Sequence, residues 1–402
     1  MPSFAQVSIA LFAFTALVSA APTETSRQSD GGIRLNQIAA GYSVKSGHVA
    51  LAQALQKYKL PVPEKVAARA AADLQKGSVT TTPQENDIDY LTPVTIGRNT
   101  LNLDIDTGSS DLWVLSTKSP KDLSSGHKLY NPSTGKLVKG ATWSIFYADF
   151  SFAEGIVYTD KVSVGGVAAS KQAVEVAIQA SGSFVSNKPS SGLLGLAFSQ
   201  GNTIQPVSMP TFFDSIRDSL PQKLFAVDLK YHAPGTYDFG FIDSTKYKGE
   251  ITWTKVWTNE LGPWGFNAGG VSVGSAKVGT EKIGRAIADT GTSLLLTTDD
   301  AASTYWKAVK SAKNDGDGWE FNCTEKLPKF NVEIEGTTFT IPGKYMNYAL
   351  DSDTGKCYGG IQGGAGQESI FGDVFLKAVY AIFENKGKSD GSSARLGFAK
   401  QV

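Results

Sequence analysis

Leu101-Asn102-Leu103-Asp104-Ile105-Asp106-Thr107-Gly108-Ser109-Ser110 decides the reading of this chain. An apolar run ends in an aspartate, which is followed by threonine, glycine and two hydroxyl residues. Arg285-Ala286-Ile287-Ala288-Asp289-Thr290-Gly291-Thr292-Ser293-Leu294 repeats the design 183 residues on. A single Asp-Thr-Gly is an ordinary turn, because Asp and Gly each favour tight reversals. Two copies, each closing an apolar segment and each followed by Ser/Thr-Ser, point to two carboxylates, Asp106 and Asp289, that meet in space.

The echo extends further. Gly195, in Ser191-Gly192-Leu193-Leu194-Gly195-Leu196, follows Asp106 by 89 residues; Gly372, in Ser369-Ile370-Phe371-Gly372-Asp373-Val374, follows Asp289 by 83. The same order at nearly equal intervals implies two related lobes, with a boundary near residue 245. Residues 90–97, 100–105 and 155–165 are short strand-like runs punctuated by glycine. Beyond residue 85, helical patches are expected at 210–220, 303–311 and 373–378. The fold class is therefore all-β, bilobal, with a few short helices and a cleft between the lobes.

Composition narrows the function. The chain has 402 residues, 41% hydrophobic and 19% charged, with 42 glycines, which suits a large loop-rich β protein with ample core. Formal net charge is zero and no basic stripe occurs, so nucleic acid is not the expected partner. The histidines His48, His127 and His232 are far apart in sequence, and no cysteine cluster accompanies them. Neither a metal centre nor a cofactor is expected. Gly269-Gly270-Val271-Ser272-Val273-Gly274 is not followed by Lys-Ser/Thr, so it reads as a hairpin and not a phosphate loop.

Residues 7–21 form an apolar run too short to span a bilayer, and Val18-Ser19-Ala20 has the small-residue form of a signal-peptidase site. Residues 1–20 are read as a signal peptide, so the protein is expected to be secreted and not membrane-anchored. Residues 21–73 lack Trp and Phe and carry seven Lys/Arg against four Asp/Glu. They are read as a removable prosegment, with a helix over 46–58 stopped by Pro61 and Pro63. A basic leader suits the acidic cleft of a body that runs as an N-terminal lobe, 74–245, and a C-terminal lobe, 246–402. Cys323 and Cys357, the only cysteines, form one disulfide in an exported chain. Asn322-Cys323-Thr324 is the one permitted N-glycosylation sequon, with its middle residue inside that bridge.

These anchors, with Trp113, Tyr147 and Phe371-Gly372-Asp373-Val374-Phe375, carry a resemblance to the pepsin-like aspartic endopeptidases, most closely the secreted fungal members. The resemblance covers about residue 76 to the C-terminus. It implies a monomer that cleaves internal peptide bonds of proteins and peptides at acid pH, with no cofactor, and that is blocked by pepstatin-like peptides. It also implies that the prosegment acts as an intramolecular inhibitor. A lysine just past the leader helix, Lys57 or Lys59, is expected on the carboxylate pair.

The residues explain the chemistry. One carboxylate activates water and the other protonates the departing nitrogen, with no acyl-enzyme. Gly108 and Gly291 let the backbone run close to the carboxylates and aim N–H groups at them. Ser109 and Thr292 donate hydroxyl hydrogen bonds to the outer oxygens. Ser109 as a nucleophile lacks a nearby histidine in sequence. The resemblance implies that Thr107 and Thr290 tie the two loops together. It also implies that residues 145–151 form a hairpin flap whose Tyr147 covers the site and bonds to Trp113. In the same way Asp149 and Ser151, beside Ala148, line the pocket for the residue before the cut. Large apolar side chains are expected there, and lysine opposite Asp149. The family usually carries glycine at Ala148, and its fungal members often at Phe150, so this flap tip has less backbone freedom.

Overall fold

Along the strand Asn99–Asp106 the side chains of Leu101, Leu103 and Ile105 are buried while Asn102 and Asp104 are only partly so. This period of two presses one face into the core and carries the chain to Asp106 at the strand end. The computed structural model describes residues 32–39, 46–75, 90–146, 152–180, 187–277, 279, 282–387 and 391–402. The proposed signal peptide and residues 147–151 of the flap tip lie outside them.

The two repeats fold alike. Gly192–Gly195 runs parallel to Asn99–Asp106, with Gly195 opposite Asp106. Glu368–Phe371 runs parallel to Lys282–Ala288, with Phe371 opposite Ala288. Each chain then turns back, so that Leu112–Val114 and Leu295–Leu296 pair antiparallel with those same short strands. The glycines that close the motifs sit against the backbone of the returning loops. A Cβ on Gly195 would lie 2.6 Å from the Asp111 nitrogen, and one on Gly372 would lie 2.1 Å from the Thr292 oxygen. Gly372→Ala is accordingly expected to destabilise the protein by about 3 kcal/mol, through backbone overpacking, read as a lower midpoint of thermal unfolding.

An eight-stranded sheet, whose strands run from Ile38–Ala39 to Gly192–Gly195 in the chain, holds the first repeat, and a seven-stranded sheet holds the second. A four-stranded sheet of Lys313–Asn314, Trp319–Phe321, Lys356–Gly359 and Asn347–Asp351 lies in the C-terminal half. A six-stranded sheet draws Leu224–Lys230 and Ala233–Phe239 from the first half and Tyr247–Lys255, Val379–Asn385 and Ala394–Gln401 from the second. Phe225, Trp264 and Phe383 pack together in the core beside it. No helix among the described residues is long and apolar enough to cross a membrane.

Residues 32–75 are more structured than their sequence signals. Ile33–Asn36 forms the edge strand of the six-stranded sheet, paired with Ala233–Phe239, and Arg34 bonds to Asp238 (2.7 Å) and Asp243 (2.5 Å). Helix α1, Gly47–Lys57, begins with the Ser46 hydroxyl accepting from the Val49 nitrogen. That helix ends at Lys57, with Lys59 at a positive φ of 56° ahead of Pro61, and a second helix, α2, Glu64–Gln75, starts straight after Pro63. Proline fits just before or at the first turn of a helix, where no N–H is needed. Both helices bury Val49, Leu51, Leu55, Tyr58, Val66 and Ala70 against C-terminal residues including Ile287, Leu294 and Tyr358.

Elsewhere the helix expected at 303–311 is Asp299–Trp306, because Thr298 caps it by accepting from the Ala301 nitrogen. The patch at 210–220 is a short helix, Phe212–Ile216, followed by a 3-10 turn, and that at 373–378 is Asp373–Leu376. Cys323 and Cys357, 34 positions apart in sequence, are bonded. Closing a loop of that size contributes about 3–4 kcal/mol on a chain-entropy model.

Candidate active site

The two Asp-Thr-Gly loops meet at the ends of their strands, and their interactions are reciprocal. The Thr107 nitrogen donates to the Thr290 hydroxyl at 3.0 Å and the Thr290 nitrogen to the Thr107 hydroxyl at 3.0 Å. The Thr107 hydroxyl donates to the Ala288 carbonyl (3.0 Å), and the Thr290 hydroxyl to the Ile105 carbonyl (2.7 Å). All four groups are buried, so each hydrogen bond replaces one that water would otherwise make, and the loops are fixed to each other.

Above this lock sit the carboxylates, Asp106 at 2% exposure and Asp289 at 0%. Each accepts from the glycine two residues on, Gly108 and Gly291, at 2.8 Å. Each also accepts at 2.5 Å from a hydroxyl, Ser109 for Asp106 and Thr292 for Asp289. The glycines have a further role that the sequence does not disclose. A Cβ on Gly108 would lie 2.4 Å from the Asp289 carboxyl carbon, and one on Gly291 would lie 2.3 Å from an Asp106 oxygen. Each glycine therefore makes room for the opposite loop's aspartate.

Lys57, at the end of α1, reaches between them. Its ammonium donates to Asp106 Oδ1 at 2.7 Å and to Asp289 Oδ1 and Oδ2 at 2.9 and 3.0 Å. Tyr58 adds a hydroxyl donor to Asp289 Oδ2 at 2.9 Å. Lys59 takes no part: it is exposed, with a positive φ of 56° where the chain turns away from the helix. Tyr58 carries no catalytic motif, and only its place beside Lys57 signals it.

Burial opposes the charge on Lys57, yet the two carboxylates outweigh it and hold the amine up at about 12. Burial likewise pushes the Asp106 carboxyl above its ordinary value. For Asp289 burial pushes upward too, but Lys57, Asp106 and Thr292 together hold it below. Two like charges this close do not both ionise freely, so the pair shares its protons as a unit.

A buried acid pair braces the first loop, and no sequence motif announces it. Asn202 donates to Asp111 at 2.8 Å and to Glu175 at 3.0 Å, and the Thr203 nitrogen donates to Asp111 at 2.8 Å. Burial raises Asp111 to about 6 and Glu175 well above the carboxylate range. Trp113, 1% exposed, stacks on Trp143 with centroids 6.1 Å apart. The strands Lys136–Phe146 and Phe152–Val164 pair with Phe146 opposite Phe152, which frames a hairpin. Its tip, with Tyr147, Ala148, Asp149 and Ser151, lies outside the described residues.

A family model described as eukaryotic aspartyl protease matches residues 89–400. The chain is 48% identical over 408 residues to penicillopepsin-3 of Penicillium janthinellum, spanning 100% of both chains. It is also 48% identical over 398 residues to aspergillopepsin-1 of Aspergillus oryzae, spanning 98% of each. Among solved structures, the aspartic proteinase from Irpex lacteus is similar at a TM-score of 0.63 and 27% identity, covering 78% of this chain and 94% of that one. Paired Asp-Thr-Gly loops in one chain, together with a match that runs through both lobes, make this protein a pepsin-like aspartic protease of the eukaryotic aspartyl protease family.

Proposed function

We propose that the chain is the precursor of a secreted endopeptidase that works at acid pH, with Asp106 and Asp289 as its catalytic dyad. In the mature enzyme a water held by both carboxylates attacks the scissile carbonyl. One carboxylate takes the water's proton while the other, protonated, hydrogen-bonds the carbonyl oxygen. The tetrahedral intermediate collapses as the dyad delivers a proton to the departing nitrogen, and no acyl-enzyme forms. Ser109 and Thr292 hold the outer oxygens so that the inner ones stay aimed at the water.

The observation that carries this reading is the Lys57 ammonium, bonded to both carboxylates at 2.7–3.0 Å. It fills the position between the carboxylates that the attacking water requires. Residues 21–73 therefore act as a built-in inhibitor, residues 1–20 as the export signal, and 74–245 and 246–402 as the two lobes of the mature monomer. Substrates are proteins and peptides with large apolar residues around the cut. Asp149 and Ser151 accept lysine before it, and Tyr147 closes over the bound peptide near Trp113.

An acid-activation time course tests the proposal. At neutral pH the full chain should be inert and full length. On acidification it should shorten near residue 73 and gain activity that a pepstatin-like peptide blocks. Activity that persists in the inhibitor, or that requires an added metal ion, overturns the reading.

A further inference from the structure

His48 stands apart from the dyad and has an incomplete environment. It lies in α1 at 2% exposure, whereas His127 and His232 are only partly buried. Its ring meets Tyr358 edge-on at 5.0 Å, and Nδ1 lies 3.3 Å from Asp73 Oδ2 in α2. Nε2 is buried with no hydrogen-bond partner among the described residues. Leaving such a buried nitrogen unsatisfied opposes folding. Glu320 and Asp351 approach from the four-stranded sheet of the C-terminal half. One ring nitrogen of His48 and one oxygen of each carboxylate all lie within 4.8 Å of one another.

We propose that His48, Glu320 and Asp351 bind a divalent transition-metal cation of the zinc class, which clamps the leader to the C-terminal lobe. Imidazole with two carboxylates is a three-residue donor set suited to zinc, with a fourth position left for water. The cleft lined by Ser46, His48, Asp73, Asp351 and Tyr358 gives that water access. Asp73 stands behind Nδ1, where a carboxylate fixes the tautomer that presents Nε2 to a metal.

The local charge also favours a dication. Arg69 of α2 pairs with Asp351 at 3.0 Å, Asp353 at 3.3 Å and Asp317 at 3.9 Å. Asp73 and Glu320 add to the acidic side, so one guanidinium faces five carboxylates in this patch. Glu320 and Asp351 are only partly buried, and modest rotation draws their oxygens to about 2.0–2.2 Å from a shared zinc. The clamp rests on the reading of residues 21–73 as a leader that departs, because the site loses His48 when the leader goes.

Equilibrium dialysis of the full chain tests the site, with Asp106→Asn included to suppress self-cleavage. Against ZnCl2 at neutral pH one Zn2+ per chain is expected. Adding His48→Ala should weaken binding at least about 100-fold, and adding Asp73→Asn about tenfold. If the His48→Ala chain does not fold, as judged by circular dichroism, Glu320→Gln is expected to show the same loss. No bound Zn2+, unchanged affinity in these variants, or Ca2+ held as tightly as Zn2+ each overturns the proposal. The readout is binding, so failure here is distinct from failure of the leader to silence proteolysis.

Discussion

Asp289→Asn is expected to lower kcat/KM for a peptide substrate at acid pH by at least about 10⁴-fold, with only a modest fall in the midpoint of thermal unfolding. The substitution keeps the shape of a fully buried side chain. It removes the capacity to exchange a proton with Asp106 and to activate water. The environment of Asp289 also favours an acceptor: the Gly291 nitrogen and the Thr292 hydroxyl both donate to it. An amide NH2 turned toward either would oppose a donor with a donor. Peptide hydrolysis with purified mature enzyme is the check. A variant that retains more than about a hundredth of the activity would remove Asp289 from the reaction and reopen the case for a nucleophilic Ser109.

Lys57→Ala is expected to end latency. Loss of the ammonium leaves buried carboxylate charge uncompensated, at a cost of about 3–5 kcal/mol to the contact between leader and body. That weakens the hold of the leader roughly a hundredfold or more. The pH dependence has a definite sign. The raised amine of Lys57 keeps its charge until pH climbs to about 12, so its side of the pairing is intact at neutral and acid pH. Asp289 is held below its ordinary value despite burial, so its contribution is present above the usual aspartate range, about 4, and fades as pH falls through the lowered value. Release of residues 21–73 is therefore expected on acidification of the wild-type chain. In Lys57→Ala it should occur at least one pH unit higher, with activity at neutral pH above that of the wild-type precursor by about tenfold or more. Lys59→Ala, at an exposed turn, should behave as wild type. A fully latent Lys57→Ala precursor at neutral pH would sink the assignment.

Much of this was written locally in the chain. An apolar alternation that ends in Asp-Thr-Gly, repeated, announces two strand-borne carboxylate loops, because strand period and turn chemistry are short-range properties. The spacing to Gly195 and Gly372 announces two lobes for the same reason. Helix starts were less legible. Thr298 and Pro63 set where helices begin, and their effect depends on how the flanking chain runs.

The sequence by itself determined the family, the all-β bilobal class, the carboxylate pair and a choice between two lysines. Only the tertiary structure decided between Lys57 and Lys59, because the last turn of α1 and the positive φ at Lys59 fix which ammonium points at the dyad. Only it brought Tyr58 to Asp289, Asp111 to Glu175, and His48 to Glu320 and Asp351. Those groups are far apart in sequence and share no motif. Their meeting is set by strand register and by α1 and α2 packed against the C-terminal half, which are long-range consequences of burial. The opening stretch names Asp106, and the fold supplies everything that touches it from the other lobe.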